Sequence, residues 1–227
     1  MKVNKTLRIG QFLSRAGICS RREAADFLKQ NEIYFQGIRI QRLDFRLQET
    51  DILKINGKEI SLSKQKEILL LNKPKGYVCT RKKRRGQKSV YELLPKKYQH
   101  FFYAGRLDAN SRGLLLFSND GKRIYELTHP QFQVEKEYHV LFHRPLSEKE
   151  RKKMEKGVMD GKDKLKAKSV FEIQPGLYKM ILTTGKNREI RRMAEKLNVR
   201  VVDLLRVRVG EYQLNGIPEG NFIVLSL

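Results

Sequence analysis

The sequence predicts an α+β fold, and three observations support this class. Short apolar runs bounded by Gly, Asn, Asp or Pro recur along the chain, which is typical of buried strands. Near the N-terminus, Leu7, Phe12, Leu13 and Ala16 have roughly helical spacing and would share one face of a helix. Helical and strand-like segments then alternate towards the C-terminus, so helices and strands are interspersed.

The composition predicts a folded and strongly basic protein. The chain has 227 residues, and its 40% of hydrophobic residues can form a packed core in one large domain or in two smaller ones. It contains 48 Lys and Arg against 25 Asp and Glu, a net charge of +23, which favours a polyanionic partner and above all nucleic acid. No apolar run has transmembrane length and no signal peptide is recognisable, so we expect a cytoplasmic protein without a membrane partner.

Metal and cofactor chemistry are not indicated by the sequence. Cys19 and Cys79 stand far apart, and the four histidines are scattered without metal-ligand spacing. The chain has neither a phosphate-binding loop nor a Gly-rich dinucleotide motif. We expect no metal, no small-molecule cofactor and a monomeric chain.

Residues 1–62 are predicted to form a small N-terminal domain. Gly17 ends the first helix, and Ser20 and Glu23 form a capping box that opens a second helix over residues 21–30. Short strands are predicted to follow. The polar stretch 61–66 is the expected hinge to a second domain, residues 63–227. The strands of the first domain are predicted at Ile33–Phe35, 38–40 and Ile52–Ile55.

The second domain is predicted to open with a strand at 67–72 and a K-P-K-G turn at 73–76. Residues 81–88 hold six basic residues and no acid, so they cannot pack in a core, and an RNA contact is favoured over a solvating loop. Segment 157–168 is polar and indicates no chemistry. The remaining elements are predicted as helices at Gly121–Thr128 and 147–156 and as strands at Lys136–Phe142, 178–184, Val201–Val209 and 222–225.

One stretch, Y-A-G-R-L-D-A-N-S-R-G-L-L-L-F-S-N-D-G at residues 103–121, places an acid between two buried strands. The apolar runs 101–104 and 114–117 predict the strands, and Asp108 lies on the polar turn between them. A polar side chain held on a loop by a rigid scaffold is typical of a functional site. Taken alone, such an acid is more often a turn cap or the partner of Arg106 or Arg112.

Four motifs together resemble those of pseudouridine synthases, in the ribosomal RNA branch of the RsuA, RluB, RluE and RluF type. They are G-R-L-D around Asp108, N-K-P-K-G at 72–76, the K-E-Y-H-V strand around Tyr138, and G-K-N-R-E-I-R-R-M at 185–193. In addition, S-R-R-E-A at 20–24 resembles the start of the second helix of an S4 RNA-binding domain. The resemblance covers nearly the whole chain.

This resemblance implies a fold and a reaction. The fold would be an S4-like domain followed by a mixed, mainly antiparallel sheet with a central cleft. The reaction would convert a specific uridine of ribosomal RNA, or of a ribosomal-subunit precursor, to pseudouridine. The R-E-I-R-R form of the last motif, V-C-T-R at 78–81 and the L-L-L-F-S-N-D-G run look most RluB-like, which implies the 23S RNA of the large subunit.

The resemblance also implies roles for individual residues. Asp108 would be the nucleophile, Arg191 the basic residue beside it, and Tyr138 the ring that stacks on the uracil. Ile190 would lie beneath the base, and Arg106 would fill the gap that the flipped nucleotide leaves. The positions expected to contact RNA are Arg15, Arg21, Arg22, Lys29, Lys73, Lys75, Arg81, Lys82, Lys83, Arg84, Arg85, Arg188, Arg192, Arg206 and Arg208.

Other functions are compatible with parts of the sequence. A non-catalytic S4-type RNA-binding or ribosome-assembly factor would explain the charge and the S-R-R-E-A motif. It would not explain an acid, a tyrosine and an arginine at matching positions. A hydrolase that uses Asp108 with a histidine lacks a histidine in every motif. Within the synthase family, 16S RNA is the alternative substrate.

Overall fold

The computed structural model describes residues 6–63 and 65–227, which divide into two compact units. The first unit comprises the described part of Met1–Lys66 with Leu94–Phe101 and Ser226–Leu227, and the second comprises Glu67–Leu93 and Phe102–Leu225. The first unit therefore includes a segment that lies far beyond residue 62 in the sequence. Residues 1–5, and Lys64 in the predicted hinge, lie outside the described residues.

The first unit contains two short helices and short antiparallel strands. Strands β2, β3, β5 and β6 form one sheet in the order β3-β2-β5-β6, and β1 pairs with β4. Phe12, Leu13, Leu28 and Leu53 belong to its buried core. Its elements are β1 (Leu7–Arg8), α1 (Ile9–Arg15), α2 (Ala24–Gln30), β2 (Ile33–Phe35), β3 (Ile38–Arg39), β4 (Arg46–Leu47), β5 (Ile52–Ile55) and β6 (Lys58–Ser61).

The predicted capping box is present at the start of the second helix. The Glu23 backbone N–H donates to Ser20 Oγ at 3.3 Å, and the Ser20 N–H donates to the Glu23 carboxylate at 3.0 Å. Residues 21–23 form a turn, so α2 begins at Ala24, somewhat later than the sequence predicts. The two reciprocal bonds satisfy donors that would otherwise be unpaired at the start of the helix.

The second unit is built around one large sheet. Its elements are β7 (Glu67–Lys73), β8 (Tyr77–Val78), β9 (Lys88–Ser89), β10 (Phe102–Ala104), β11 (Arg112–Ser118), α3 (Gly121–Thr128), β12 (Lys136–Phe142), α4 (Glu148–Lys156), β13 (Val158–Asp160), β14 (Asp163–Leu165), β15 (Ser169–Gln174), β16 (Leu177–Leu182), α5 (Glu189–Lys196), β17 (Val201–Val209), β18 (Tyr212–Gln213) and β19 (Phe222–Ser226). Short 3₁₀ turns occur at Val90–Leu93 and Pro130–Phe132 in this unit and at Lys96–Tyr98 in the first unit.

The strand order of the large sheet is β15-β16-β12-β17-β11-β7-β19, with β10 paired to β11 and β18 paired to β17. β11 and β17 run parallel, whereas β11 is antiparallel to β7 and to β10 and β12 is antiparallel to β16 and to β17. The sheet is therefore mixed, and the predicted α+β class is confirmed. The predicted bounds of α3, β12 and β17 agree with the structure.

Two hydrophobic clusters support this sheet. One is formed by β7, β11, α3 and the C-terminal end of β17, with Leu70, Leu116 and Leu127 among its buried residues. The other lies between β12, β16 and α5 and includes Met180 and Met193. Because α5 packs its apolar side on the second cluster, the opposite side of the helix start is available for charged residues.

The parallel pair β11 and β17 approaches closely at Gly113. This residue has φ +103°, and a Cβ atom added there would lie 2.3 Å from the backbone oxygen of Arg206. A side chain at position 113 would therefore collide with the neighbouring strand, and the positive φ is itself unfavourable for other residues.

Within residues 6–63 and 65–227, no helix has the length and apolar character needed to cross a membrane.

Candidate active site

Asp108 lies on the loop that connects β10 to β11. The two strands are antiparallel neighbours, with Ala104 opposite Leu116, so residues 105–111 form a loop at one end of the pair. Gly105 has φ +72°, which lets the chain leave β10 in a left-handed conformation. The Asp108 backbone oxygen accepts a hydrogen bond from the Ser111 N–H at 3.0 Å, and 32% of the Asp108 side chain is exposed.

Lys73, at the end of β7, holds this loop from inside the protein. Its side chain is fully buried, and Nζ lies within hydrogen-bond distance of four backbone carbonyl oxygens: Ser111 at 2.7 Å, Pro74 at 3.0 Å, Asp108 at 3.1 Å and Ala109 at 3.3 Å. Burial lowers the pKa of Lys73 to about 8. The ammonium group therefore ties the K-P-K-G turn to the backbone from Asp108 to Ser111.

Cys79 supports the same loop. Its thiol donates to the Leu107 carbonyl at 3.3 Å, and the Leu107 N–H approaches the sulfur at 3.4 Å. The Gly76 N–H donates to the Ala109 carbonyl at 2.8 Å. Burial raises the pKa of the Cys79 thiol, so it remains protonated and can donate at neutral pH. The position of Asp108 is thus set by contacts to its backbone neighbours, while its carboxylate remains reachable.

Two guanidinium groups stand beside the Asp108 carboxylate. Arg188 Nη1 lies 3.8 Å and Arg191 Nε 4.0 Å from Oδ2. These distances are those of ion pairs, and they are too long for hydrogen bonds. Arg191 Nε has no hydrogen-bond partner among the residues that the structure describes. Arg191 Nη2 donates to the Asn110 carbonyl at 3.2 Å, which joins α5 to the Asp108 loop.

The segment that carries both arginines is held tightly. Thr184 Oγ1 donates to the buried Glu189 carboxylate at 2.7 Å, and the Lys186 N–H donates to it at 3.0 Å. The helix begins after Arg188, which has φ +49°. A left-handed arginine costs roughly 1–2 kcal/mol, so the surrounding contacts must enforce it.

Tyr138 lies on the central strand β12 and packs, half-buried, against the hydrophobic cluster that contains Met180. Its cross-strand neighbour on β17 is Arg206, which in turn is paired in register with Gly113 on β11. One strand, β17, therefore lies between Tyr138 on β12 and β11, the strand that follows the Asp108 loop. Ile190, the residue before Arg191, is 4% exposed and belongs to the same cluster.

A second carboxylate lies near this loop. Arg112 donates to Asp203 through Nη2 at 2.7 Å and Nε at 3.0 Å, and Lys75 Nζ pairs with it at 2.7 Å. Burial alone would raise the pKa of Asp203, but the hydrogen bonds from Arg112 and Lys75 outweigh it and lower the pKa. Asp203 thus joins β17, β11 and the K-P-K-G turn.

Two predicted RNA contacts are corrected by the structure. Lys73 is fully buried and donates to backbone carbonyls, and Arg206 is 3% exposed and donates through Nε to the Leu114 carbonyl at 2.7 Å. Neither side chain can reach a phosphate at the surface. Sequence reasoning failed here because the groups that bury both side chains come from a distant part of the chain.

The other predicted positions fall into two groups. Several are bound to acids of the protein: Arg15 to Glu49, Lys75 to Asp203, Lys83 to Glu92, Arg192 to Asp160 and Asp163, and Arg208 to Glu135 and Glu137. Arg188 is exposed and pairs with Asp108 and Glu195. The remaining side chains are on the surface, and these are Arg21, Arg22, Lys29, Arg81, Lys82, Arg84, Arg85 and Arg106.

Sequence reasoning missed the acids that organise the basic segment. Segment 157–168 forms a hairpin, β13 and β14, whose Asp160 and Asp163 bind Arg192. The dipeptide Asp160-Gly161 is a hairpin signal that could have predicted the turn. Among the described residues, no group of three or more His, Cys, Asp or Glu side chains is arranged to hold a metal ion.

The arrangement is suited to carboxylate chemistry. An accessible carboxylate on a rigid loop can act as a nucleophile or as a base, and two guanidinium groups lie at ion-pair distance from it. The same guanidinium groups can bind an anionic ligand that brings a reacting carbon to Asp108.

Comparison with known proteins identifies relatives over almost the whole chain. The family model for RNA pseudouridylate synthase matches residues 67–196. The ribosomal large subunit pseudouridine synthase B of Yersinia pestis is 34% identical, with 97% of this chain and 73% of that protein covered. The enzyme of the same name from Salmonella typhimurium is 36% identical, with 97% and 79% covered. An uncharacterized RNA pseudouridine synthase of Aquifex aeolicus is 31% identical, with 92% and 88% covered.

A solved structure supports the same grouping at the level of the fold. The crystal structure of a pseudouridylate synthase superposes with a TM-score of 0.69 and 23% sequence identity, covering 96% of each chain. The two proteins therefore share a fold.

Proposed function

The chain belongs to the RNA pseudouridine synthase family, and from that membership we propose that it converts a specific uridine of large-subunit ribosomal RNA to pseudouridine. The observation that carries this proposal is the 34–36% identity to ribosomal large subunit pseudouridine synthases B across 97% of the chain. We expect it to act as a monomer in the cytoplasm, on ribosomal RNA or on a precursor of the ribosomal subunit.

The reaction is an isomerisation that needs no net oxidation. The bond between N1 of uracil and C1′ of ribose breaks, the uracil rotates, and C5 forms a new bond to C1′. The proton at C5 is lost and N1 gains one, so the atoms of the nucleotide are conserved. Asp108 acts as the nucleophile, on the ribose or on the base, and is regenerated at the end.

Arg191, Tyr138 and Ile190 assist Asp108 in this proposal. Arg191, with Arg188 at a similar distance from Asp108, offers donors to the phosphates of the target nucleotide. Tyr138 stacks on the uracil and takes part in the removal of the C5 proton. Ile190 supports the base from the hydrophobic cluster.

The target uridine has to leave its helical stack to reach Asp108. A base within a duplex is not accessible to a side chain on a protein loop, so the nucleotide is flipped out at a cost of a few kcal/mol. Arg106 is exposed on the same loop, two residues before Asp108, and we propose that it occupies the vacated space. In this arrangement the residue that fills the vacated space is two positions from the residue that reacts with the base.

We further propose that residues 1–62 form an S4-like RNA-binding domain. Support comes from the S-R-R-E-A motif, from the helix pair α1 and α2, and from the exposed side chains of Arg21, Arg22 and Lys29. In the second unit, the exposed segment 81–88 supplies further phosphate contacts. Such contacts position the RNA, whereas the choice of uridine rests on RNA shape and on the flipped base.

The test is to incubate purified 16S and 23S transcripts side by side with the protein and to map pseudouridines by chemical derivatisation. A third reaction uses large-subunit particles from cells that lack the gene, because the substrate can be an assembly intermediate. Asp108→Asn preserves the shape of the residue and is the inactive control. Glu148→Gln, at the exposed start of α4, is the control for the loss of one acidic charge.

We expect modification at a defined site in 23S RNA, alone or in the particle, by the wild type and by Glu148→Gln. Asp108→Asn should bind RNA within a few-fold of wild type and produce no pseudouridine. Modification confined to 16S RNA would contradict the large-subunit assignment. If no substrate is modified, or if Asp108→Asn remains active, the proposed enzyme activity or its catalytic residue is wrong.

A further inference from the structure

The hairpin β13–β14 carries two aspartates that bind the basic segment containing α5. Asp160, at the end of β13, accepts from Arg192 Nε at 2.6 Å and pairs with Lys196 Nζ at 3.1 Å. Asp163, at the start of β14, accepts from Arg192 Nη2 at 2.9 Å and from Lys186 Nζ at 2.9 Å. Arg192 thus bridges the two acids, which face each other as a cross-strand pair.

Both acids are ionised at neutral pH. The hydrogen bond from Arg192, followed by that from Lys196, lowers the pKa of Asp160, and those from Lys186 and Arg192 lower the pKa of Asp163. The Arg192 side chain is 21% exposed, so this bridge is less exposed than the outer lysine pairs. A network with a shared guanidinium is geometrically more specific than an isolated surface pair.

The network sorts the basic residues of the G-K-N-R-E-I-R-R-M segment into two sets. Lys186 and Arg192 pair with the hairpin, whereas Arg188 and Arg191 lie 3.8 and 4.0 Å from the Asp108 carboxylate. Arg188 also pairs with Glu195 through its other terminal nitrogen, at 3.6 Å. Without the two aspartates, four cations of one short segment would repel each other and compete for Asp108.

The same network holds the residues that precede Arg188, whose backbone conformation is strained. Arg188 adopts φ +49°, a conformation that non-glycine residues keep only where neighbouring contacts enforce it. Lys186 on one side is fixed by Asp163 and by the Lys164 carbonyl at 3.2 Å. Asn187 accepts from Arg192 Nη1 at 3.3 Å through its backbone carbonyl. The residues immediately before Arg188 are therefore attached to the hairpin.

We propose that Asp160 and Asp163 are positioning residues that hold the start of α5 so that Arg188 and Arg191 both face Asp108. This inference rests on the proposed function, because the arginine pair matters for turnover only if Asp108 is the reacting group. The hairpin itself touches neither the carboxylate nor the RNA in this proposal. Its contribution is to hold the Arg188 backbone and the α5 start in the geometry that catalysis requires.

A purely electrostatic role of Asp160 and Asp163 predicts a different effect on kcat from a positioning role. Removing two negative charges from a protein of net charge +23 makes it still more attractive to RNA, which lowers KM and leaves kcat unchanged. Loss of positioning lowers kcat without raising KM, since a displacement of about 1 Å at a reacting group can reduce the rate by roughly 100-fold.

The test compares wild type, the double variant Asp160→Asn/Asp163→Asn and a control with the same charge change, Glu148→Gln/Glu211→Gln. The control removes two acids from exposed ion pairs with Lys152 and Arg123. Two quantities are measured for each protein: kcat and KM on the ribosomal RNA substrate, and backbone amide exchange of residues 185–191. Asp160→Glu/Asp163→Glu keeps both charges and serves as the conservative variant.

We expect kcat of the Asn double variant to fall by about 10- to 100-fold with an unchanged or lower KM, and exchange at 185–191 to become faster. The control should match wild type in kcat and exchange, and the Glu variant should recover part of the lost kcat. An unchanged kcat, or equal amide exchange in wild type and the Asn variant, overturns the proposal. The exchange result does not require activity, whereas a wild type that modifies no ribosomal RNA contradicts the proposed function itself.

Discussion

The buried Nζ atom of Lys73 lies 3.1 Å from the backbone oxygen of Asp108 and 2.7 Å from that of Ser111. A single ammonium group thus contacts the second half of the loop that carries the carboxylate, from Asp108 to Ser111. The Asp108 carbonyl also accepts from the Ser111 N–H, whereas Ser111 is buried, and leaving its carbonyl without a donor would cost about 1–3 kcal/mol. The loop therefore depends on a cation that does not itself contact RNA.

Lys73→Met should reduce both stability and turnover. Methionine fills a similar volume but donates no hydrogen bond, so the 108–111 loop loses its internal support. We expect a loss of at least about 2 kcal/mol in the free energy of unfolding by urea, and a large decrease in kcat with RNA binding retained. Lys75→Met is the matched control, because Lys75 is exposed and pairs with Asp203. Equal stability and kcat in the two variants would contradict this role for Lys73.

The lowered pKa of Lys73 predicts a pH dependence of stability. Its folded-state pKa is about 8, below the usual value of about 10.4 in an unfolded chain. Between these values the unfolded state holds a proton that the folded state has released, so the free energy of unfolding rises with pH, by at most about 1.4 kcal/mol per unit. Below pH 8 both states are protonated and the contribution is constant.

This dependence is measured as the difference between wild type and Lys73→Met, because other titrating groups cancel in the difference. Urea unfolding at pH 7, 8, 9 and 10 should show a difference that is flat at first and then grows in favour of wild type. A difference that remains flat up to pH 10 would show that the pKa is not lowered.

Arg191→Ala should impair catalysis and stability together, whereas Arg188→Ala should impair mainly catalysis. The Arg191 side chain is 14% exposed and donates to the Asn110 carbonyl at 3.2 Å, so its removal costs about 1–3 kcal/mol. The Arg188 side chain is 47% exposed and should contribute little to stability. For each variant we expect kcat to fall on the order of 100-fold, as for other groups that stabilise charge. Single-turnover kinetics and thermal unfolding separate the two effects, and normal turnover by Arg191→Ala would refute its role.

Arg84→Gln/Arg85→Gln should weaken binding to all RNAs alike. Both side chains are exposed in the basic segment, and each lost phosphate contact lowers the slope of log K against log salt by about 0.7–0.9. The modified site should remain the same, because phosphate contacts do not read sequence. Lys149→Gln/Lys153→Gln, on the exposed side of α4, is the control of equal charge. If both pairs have the same effect, the 81–88 segment has no special role in binding.

Local sequence patterns predicted the elements whose apolar residues or capping residues lie close together in the sequence. The alternation of Lys136–Phe142 and the apolar residues of Val201–Val209 predict strands at the bounds that the structure shows. The Ser20–Glu23 capping box also depends only on residues close in sequence, and both of its hydrogen bonds are present. These are interactions that a short window of sequence contains completely.

Such local patterns did not predict contacts between residues that are far apart in the sequence. A lysine beside a Pro-Gly turn is normally exposed, and Lys73 is buried only because carbonyls from residues 108–111 fold over it. The hairpin buries Val158 and Leu165 in the cluster that contains Met180, and its Asp160 and Asp163 pair with Arg192, a contact that no short window of sequence contains. The proximity of Asp108 to Arg191 likewise has no local signal, and it was expected only from the resemblance to a family.

Replacing Gly113 is expected to abolish activity for a reason that is structural and not catalytic. Any side chain there would meet the backbone of Arg206 at the point where the strands bearing the Asp108 loop and the neighbour of Tyr138 run together. In a saturation screen scored by activity, position 113 should therefore tolerate no replacement and resemble Asp108, the proposed nucleophile. Intolerance at this position would reflect the close approach of β11 and β17, because glycine has no side chain that could take part in catalysis.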